Sequence, residues 1–264
     1  MILETIDLSV GYKDIKSPKT ILSSVNIAIE KGKMVAIIGV NGSGKSTLLR
    51  SLTGVQDRLN GEIYIQDTEI KQLSDRELAA QISLVLTHQP ISKNLSVYEL
   101  VSLGRHPYTN WLGVNSTQDK KQILSALQQV GLQDLKNKKC DELSDGQLQK
   151  VLLARAIAQD TPLIVLDEPT THLDMYHKAQ VLHLLKNVCI NTKKTVVFAS
   201  HEINLAIQLC DEIILIHKDQ VIQGSPEQLA ESGAFNKMFP KDLIEFDSLS
   251  KSFKVAKIRT DKYQ

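Results

Sequence analysis

Apolar and polar positions alternate along some stretches of this chain, run together in others, and fall into helical spacing in a third set. Residues 3–10 and 21–29 alternate, the second through Leu22, Val25, Ile27 and Ile29, and both predict strands. Residues 61–66 alternate over a shorter span, and residues 82–86 and 212–217 also read as strands. Residues 34–38, 163–166 and 196–199 are unbroken apolar runs, which suit a parallel sheet covered on both faces. Ser74 and Glu77 form a capping box that opens a short helix.

Between residues 96 and 159 nearly everything reads helical. Ser96 and Glu99 form a second capping box. Ile123, Leu124, Leu127 and Val130 give helical spacing over 117–130, and Gly131 stops it. Residues 175–189 carry Val181, Leu182, Leu184, Leu185 and Val188 at helical spacing. The expectation is an α/β core interrupted by a helical insertion at about 90–159. The tail from 225 reads as helical and then weakly patterned, with a strand expected at 253–258.

Composition narrows the class. The chain has 264 residues and 42% hydrophobic content, enough for one α/β domain with a subdomain. Lys and Arg total 31 against 30 Asp and Glu, so no global field points to nucleic acid. Aromatic residues are 5% of the chain, which argues against a base-stacking platform. Cys140, Cys189 and Cys210 lie far apart with no C-x-x-C pair, and read as reduced thiols filling core or surface. The first residues lack the basic and apolar regions of a signal peptide, and no run reaches the roughly 20 apolar residues a membrane helix needs.

The chemistry starts at Gly39-Val40-Asn41-Gly42-Ser43-Gly44-Lys45-Ser46-Thr47. It follows one apolar strand and precedes Leu48-Leu49-Arg50, the strand–loop–helix context of a phosphate-binding P-loop. Successive N–H groups of such a loop converge on an anion, and the new helix adds its positive end. Lys45 is placed to reach the β- and γ-phosphates, and Ser46 to offer a hydroxyl to Mg²⁺. The strand at 163–166 ends in Asp167-Glu168-Pro169. In a P-loop protein Asp167 holds Mg²⁺, directly or through water, and Glu168 polarises the attacking water. Ser144 and Gln147 form a further capping box, which leaves Gly146 unexplained. Glycine is unfavourable in a helix's first turn, so it points to close approach of a ligand or backbone.

Leu143-Ser144-Asp145-Gly146-Gln147 resembles the signature motif of ABC-transporter ATPase subunits, and it stands upstream of the Leu-Asp-Glu-Pro strand as that family has it. Thr171-His172-Leu173-Asp174 resembles the family's D-loop, Ser200-His201-Glu202 its switch-histidine loop, and Tyr12 the aromatic that stacks on adenine. The resemblance covers residues 1–225 and implies a RecA-like P-loop core with a mixed sheet, an antiparallel β subdomain at the N-terminus and the helical insertion. Residues 226–264 are then a C-terminal extension. It further implies ATP and Mg²⁺ as the bound species. Two copies would sandwich ATP head to tail, with Ser144, Gly146 and Gln147 of one facing the P-loop nucleotide of the other. His201 would contact the γ-phosphate or the attacking water.

Three departures stand out. Val40 replaces the proline common in the loop and is expected to matter little. Asp145 replaces a signature glycine and is expected to point away from the nucleotide. After the strand at 82–86 the family places a glutamine, where this chain has Thr87-His88-Gln89. Spacing favours Thr87 for that position, and chemistry favours Gln89 as the Mg²⁺ ligand.

Leu103-Gly104-Arg105-His106-Pro107-Tyr108, and His172, resemble the ATPases of bacterial importers for iron-siderophore, haem and vitamin B12. Tyr108 and Trp111 read equally as a contact patch for a membrane subunit or as ordinary packing. The resemblance implies separate permease subunits, indirectly an extracytoplasmic binding protein, and a cytoplasmic place on the inner face of the cell membrane. The contrasting readings are a soluble mechanical ATPase acting on DNA or ribosomes, a binding-only cassette, and an ABC ATPase for another cargo.

Overall fold

The computed structural model describes residues 1–13, 17–86, 94–109, 113–240 and 242–256. Thr87, Gln89, Trp111 and residues 257–258 of the expected last strand lie outside the described residues.

The first strands are β1 (Leu3–Tyr12), β2 (Lys19–Ile29) and β3 (Met34–Gly39), and the loop after β3 opens α1 (Lys45–Leu52). Then follow β4 (Asn60–Ile65), β5 (Thr68–Glu69), α2 (Asp75–Gln81) and β6 (Ile82–Val85). Three helices separate β6 from the next strand: α3 (Val97–Ser102), α4 (Thr117–Gln129) and α5 (Asp145–Ala158). The chain returns to the sheet with β7 (Leu163–Asp167), α6 (Met175–Thr192), β8 (Thr195–Ser200), α7 (Ile203–Leu209), β9 (Glu212–His217) and β10 (Gln220–Gly224). It ends with α8 (Pro226–Glu231), β11 (Ile244–Asp247) and β12 (Ser252–Val255).

β3, β6, β7, β8 and β9 form a parallel sheet, and β10 pairs antiparallel to β9 at one edge. Side chains of successive residues point to opposite faces, so an unbroken apolar strand feeds two cores at once. Met34, Ala36, Ile38, Ile164, Leu166, Val196 and Phe198 join the core built with α3–α6. Val35, Ile37, Leu163, Val165, Val197 and Ala199 join the second, with α1 and the N-terminal strands. Those strands form an antiparallel sheet in the order β2-β1-β4-β5.

The sequence-predicted capping boxes at Ser74, Ser96 and Ser144 are all present, and Ser116 makes another on α4. The tail opens on the expected helix, α8, and the strand expected at 253–258 overlaps β12 over its described residues. Its partner β11 was not expected; the two form a hairpin, and Phe235, Phe246 and Met238 pack into the helical core. The unexpected edge strands have a common cause. β4–β5 and β9–β10 turn through Gln66-Asp67 and Lys218-Asp219, whose φ angles are 47° and 67°, and 45° and 65°. Paired positive-φ residues make a tight hairpin turn, and neither pair carries the glycine that signals one in sequence.

Candidate functional site

The site gathers where β3, β7 and β8 end, at the carboxyl edge of the parallel sheet. Gly39 closes β3 beside Ser43, and a Cβ added there would lie 2.6 Å from both Ser43 Oγ and the Ile216 carbonyl oxygen. Gly44, at φ 98°, is the N-cap of α1 and lies in the left-handed region that glycine tolerates. Between them Val40 and Asn41 are exposed, and Gly42 faces open space.

Lys45 is 5% exposed and curls back over the loop, donating to the carbonyl oxygens of Gly39 at 3.0 Å and Val40 at 3.2 Å. Burial lowers its pKa, opposed by the nearby carboxylates of Glu168 and Asp167. Ser46 Oγ donates to Asp167 Oδ1 at 2.9 Å. Burial raises the Asp167 carboxyl, and the Ser46 bond opposes that rise. Tyr12 is half-exposed at the end of β1, with its hydroxyl 3.2 Å from Thr47 Oγ1 beside the loop.

Glu168 follows β7 at φ 50°, with its N–H donating to the Ala199 carbonyl at 3.1 Å. Its two oxygens are held separately. Oε1 lies 2.5 Å from His201 Nε2, and Oε2 accepts from Thr171 Oγ1 at 3.0 Å. Asp167, Glu168 and His201 were expected from sequence, and the structure brings them together with Lys45 and Ser46. The Thr171 hydroxyl was not expected to hold Glu168. Its signal was present in the Asp-Glu-Pro-Thr-Thr turn, where a hydroxyl follows the carboxylate by three residues.

Ser144, Gly146 and Gln147 lie apart from this group, at the N-terminus of α5. Ser144 Oγ accepts from the Gln147 N–H at 3.3 Å, and Gln147 Oε1 accepts from the Ser144 N–H at 3.1 Å. A Cβ on Gly146 would meet His177 Cδ2 at 3.5 Å and Leu173 Cδ2 at 3.7 Å, ordinary contacts. Nothing among the described residues therefore demands glycine there. Asp145 is exposed in the first turn of α5, where the helix field favours a carboxylate.

The Leu-Gly-Arg-x-Pro-Tyr stretch has a packing explanation. Gly104 lies against α5, where an added Cβ would come within 2.3 Å of the Arg155 carbonyl oxygen. Arg105 is 6% exposed, bonds Asp119 at 2.8 Å and the Ala158 carbonyl at 2.8 Å, and sits 4.0 Å from the Tyr108 ring centre. All three cysteines are buried and free, and burial pushes the Cys189 thiol up to about 11.

A glycine loop cradling a helix N-terminus, a buried lysine, and a serine–aspartate pair beside a glutamate at the strand ends define a P-loop nucleoside triphosphatase. The ABC transporter family model matches residues 22–171, and the chain belongs to the ABC transporter family. It is 35% identical over 237 residues to the achromobactin transport ATP-binding protein of Dickeya dadantii, covering 89% of this chain and 87% of that one. It is also 35% identical over 238 residues to the petrobactin import ATP-binding protein of Bacillus anthracis, covering 90% and 86%. An inward-facing ABC transporter of metal-chelate type matches with a TM-score of 0.77 at 28% identity, covering 90% of this chain and 88% of that chain. A dimeric ATP-binding cassette in a post-hydrolysis state with ADP and Pi matches with a TM-score of 0.72 at 31% identity, covering 84% and 98%. The chain is an ATP-binding ATPase of this family. No helix among the described residues is long and apolar enough to cross a membrane.

Proposed function

We propose that this chain is the ATP-hydrolysing subunit of an importer for an iron chelate, haem or a corrinoid, working as a head-to-tail dimer beneath separate permease subunits. The observation that carries the hydrolytic part is Glu168 held between His201 and Thr171, next to the Lys45–Ser46–Asp167 group. The cargo class is supported by relatives that serve achromobactin and petrobactin transport. In this reading the chain is peripheral to the inner face of the membrane, and an extracytoplasmic binding protein delivers the cargo.

The loop fits a triphosphate. Ser43 Oγ is buried in the loop with no hydrogen-bond partner among the described residues, and Lys45 donates to neutral carbonyl acceptors that phosphate oxygens would replace. Ser46 Oγ and Asp167 Oδ1 are hard oxygen donors 2.9 Å apart and would hold Mg²⁺, which supplies charge neutralisation at the phosphates when bound. Gln89 is proposed as a further ligand. Tyr12, half-exposed, offers its ring to adenine. Glu168 orients the attacking water and takes its proton, while His201 fixes the carboxylate and faces the γ-phosphate. Ser144, Gly146 and Gln147 of a second copy close the other side, with Asp145 turned outward.

Glu168→Gln tests the reading. Hydrolysis should fall by about 100-fold or more, and ATP should trap a dimer in size-exclusion chromatography. A monomer with wild-type turnover would defeat it. Uptake of ferric chelates against cobalamin by cells carrying the chain with its permease tests the cargo.

A further inference from the structure

His201 is 40% exposed in its side chain, so packing holds its ring only in part. Its 2.5 Å contact with Glu168 therefore depends also on the backbone that carries it. That backbone is anchored on two sides by the residues that follow. Glu202 takes an ion pair from Lys178 Nζ at 2.6 Å, with the side chains 33% and 24% exposed. Lys178 lies in the first turn of α6, and its N–H donates to the carbonyl of Asp174, the last residue of the D-loop that also supplies Thr171 to Glu168. The Glu202 N–H donates to Ser200 Oγ at 2.9 Å, and the Ile203 N–H donates to the His201 carbonyl at 3.0 Å.

The second anchor comes from the tail. Asn204 pairs with β12 as a strand edge would. Its Oδ1 accepts from the Phe253 N–H at 2.8 Å, and its Nδ2 donates to the Phe253 carbonyl at 3.3 Å. The Phe253 ring sits edge-on to Phe235, Phe239 and Phe246, at centroid distances of 5.9, 5.2 and 5.2 Å. Phe235 is fully buried in the helical core. The Phe253 ring thus fixes the hairpin to the core, while its backbone holds Asn204 in the first turn of α7, directly after the switch-histidine loop.

We propose that Glu202 and Asn204 are positioning residues that hold His201 against Glu168, Glu202 through Lys178 on α6 and Asn204 through the C-terminal hairpin. The hairpin then belongs to the hydrolytic apparatus. This rests on the reading of Glu168 and His201 as the hydrolytic pair.

The test is steady-state ATP hydrolysis by the full chain, with kcat and the KM for ATP separated and folding checked by thermal melting. Lys178→Glu and Glu202→Lys should each lower kcat about tenfold at unchanged KM, and the two combined should restore it to within about threefold. Asn204→Ala should lower kcat about threefold, its bonds being exposed to water, with Asn204→Asp in between because it keeps the Phe253 N–H bond. Lys33→Ala breaks an exposed pair with Glu30 at the opposite end of β3 from the site and should leave kcat unchanged. Wild-type kcat in the single variants, a change confined to KM, or no recovery in the charge swap would overturn the proposal. Glu168→Gln and His201→Ala run alongside. If both remain active, the underlying reading fails; if both are dead while Lys178→Glu is active, this inference alone fails.

Discussion

Replacing Arg105 with methionine tests whether the helical insertion is held by a buried charge. Arg105 is 6% exposed and Asp119 4%. Removing one partner of a buried pair costs about 3–5 kcal/mol, because the other charge stays in the interior uncompensated. Asp119 keeps the Ser116 N–H and hydroxyl at 2.9 and 2.6 Å, which favours the lower end, about 3 kcal/mol. The carbonyls of Ala158 and Gln159, bonded by Arg105 at 2.8 and 3.2 Å, lose a donor at the end of α5 and add about 1 kcal/mol. Unfolding entropy near 60 °C is about 2.1 cal/mol/K per residue, or about 0.55 kcal/mol/K for 264 residues. A loss of about 4 kcal/mol then lowers Tm by about 7 °C. Calorimetry of the full chain measures it, and Arg105→Met combined with Asp119→Leu should recover more than half the loss, since an apolar pair replaces the ionic one. A fall of less than about 2 °C in the single variant would refute the reasoning.

Gly104→Ala forces a Cβ against the Arg155 carbonyl and should cost about 1–3 kcal/mol, read as a lower denaturant midpoint. Gly146→Ala has room within the chain and should stabilise the fold by about 0.5–1 kcal/mol. The same variant should lower ATP hydrolysis about tenfold or more, measured by phosphate release. Asp119 is held below the usual carboxylate range, first by the Ser116 hydroxyl and then by Arg105. Its contribution is present above the unfolded pKa of about 4 and is lost as pH falls through the folded value. Asp119→Asn should therefore flatten the acid side of the Tm–pH curve, seen by melting between pH 2 and about pH 6.

The parallel core was legible because its strands are buried on both faces. Continuous apolar runs at β3, β7 and β8 leave little alternative, and the glycine loop marks where one of them meets a helix. The capping boxes were equally plain, since a serine and an acid or amide three residues apart bond each other wherever the fold places them. β5 and β10 were not legible. They are half-buried edge strands entered through Gln66-Asp67 and Lys218-Asp219, turns without the glycine that marks a hairpin in sequence, so local chemistry carried little signal. The meaning of Leu-Gly-Arg-x-Pro-Tyr was also hidden. Gly104 and Arg105 are specified by Arg155 and Asp119, which lie about 51 and 14 residues away and meet them only in the folded insertion.

Gly146 returns the argument to the P-loop. A glycine at this point weakens the helix by about 0.5–1 kcal/mol relative to alanine. At Gly39 and Gly104 a clash within the chain explains the residue, with atoms 2.6 and 2.3 Å from the added Cβ. At Gly146 the nearest such atom is 3.5 Å away, so the fold itself gains nothing from glycine. Ser43 presents the complementary case on the opposite part of the site, a buried hydroxyl without a partner among the described residues. One position has a backbone opened with no internal reason, and the other has a donor aimed at no internal acceptor. In the proposed dimer, a triphosphate lying on the P-loop of one copy and approached by the α5 N-terminus of another would account for both. In the proposed reading, the loop at residues 39–47 is therefore half of a site that a second copy completes.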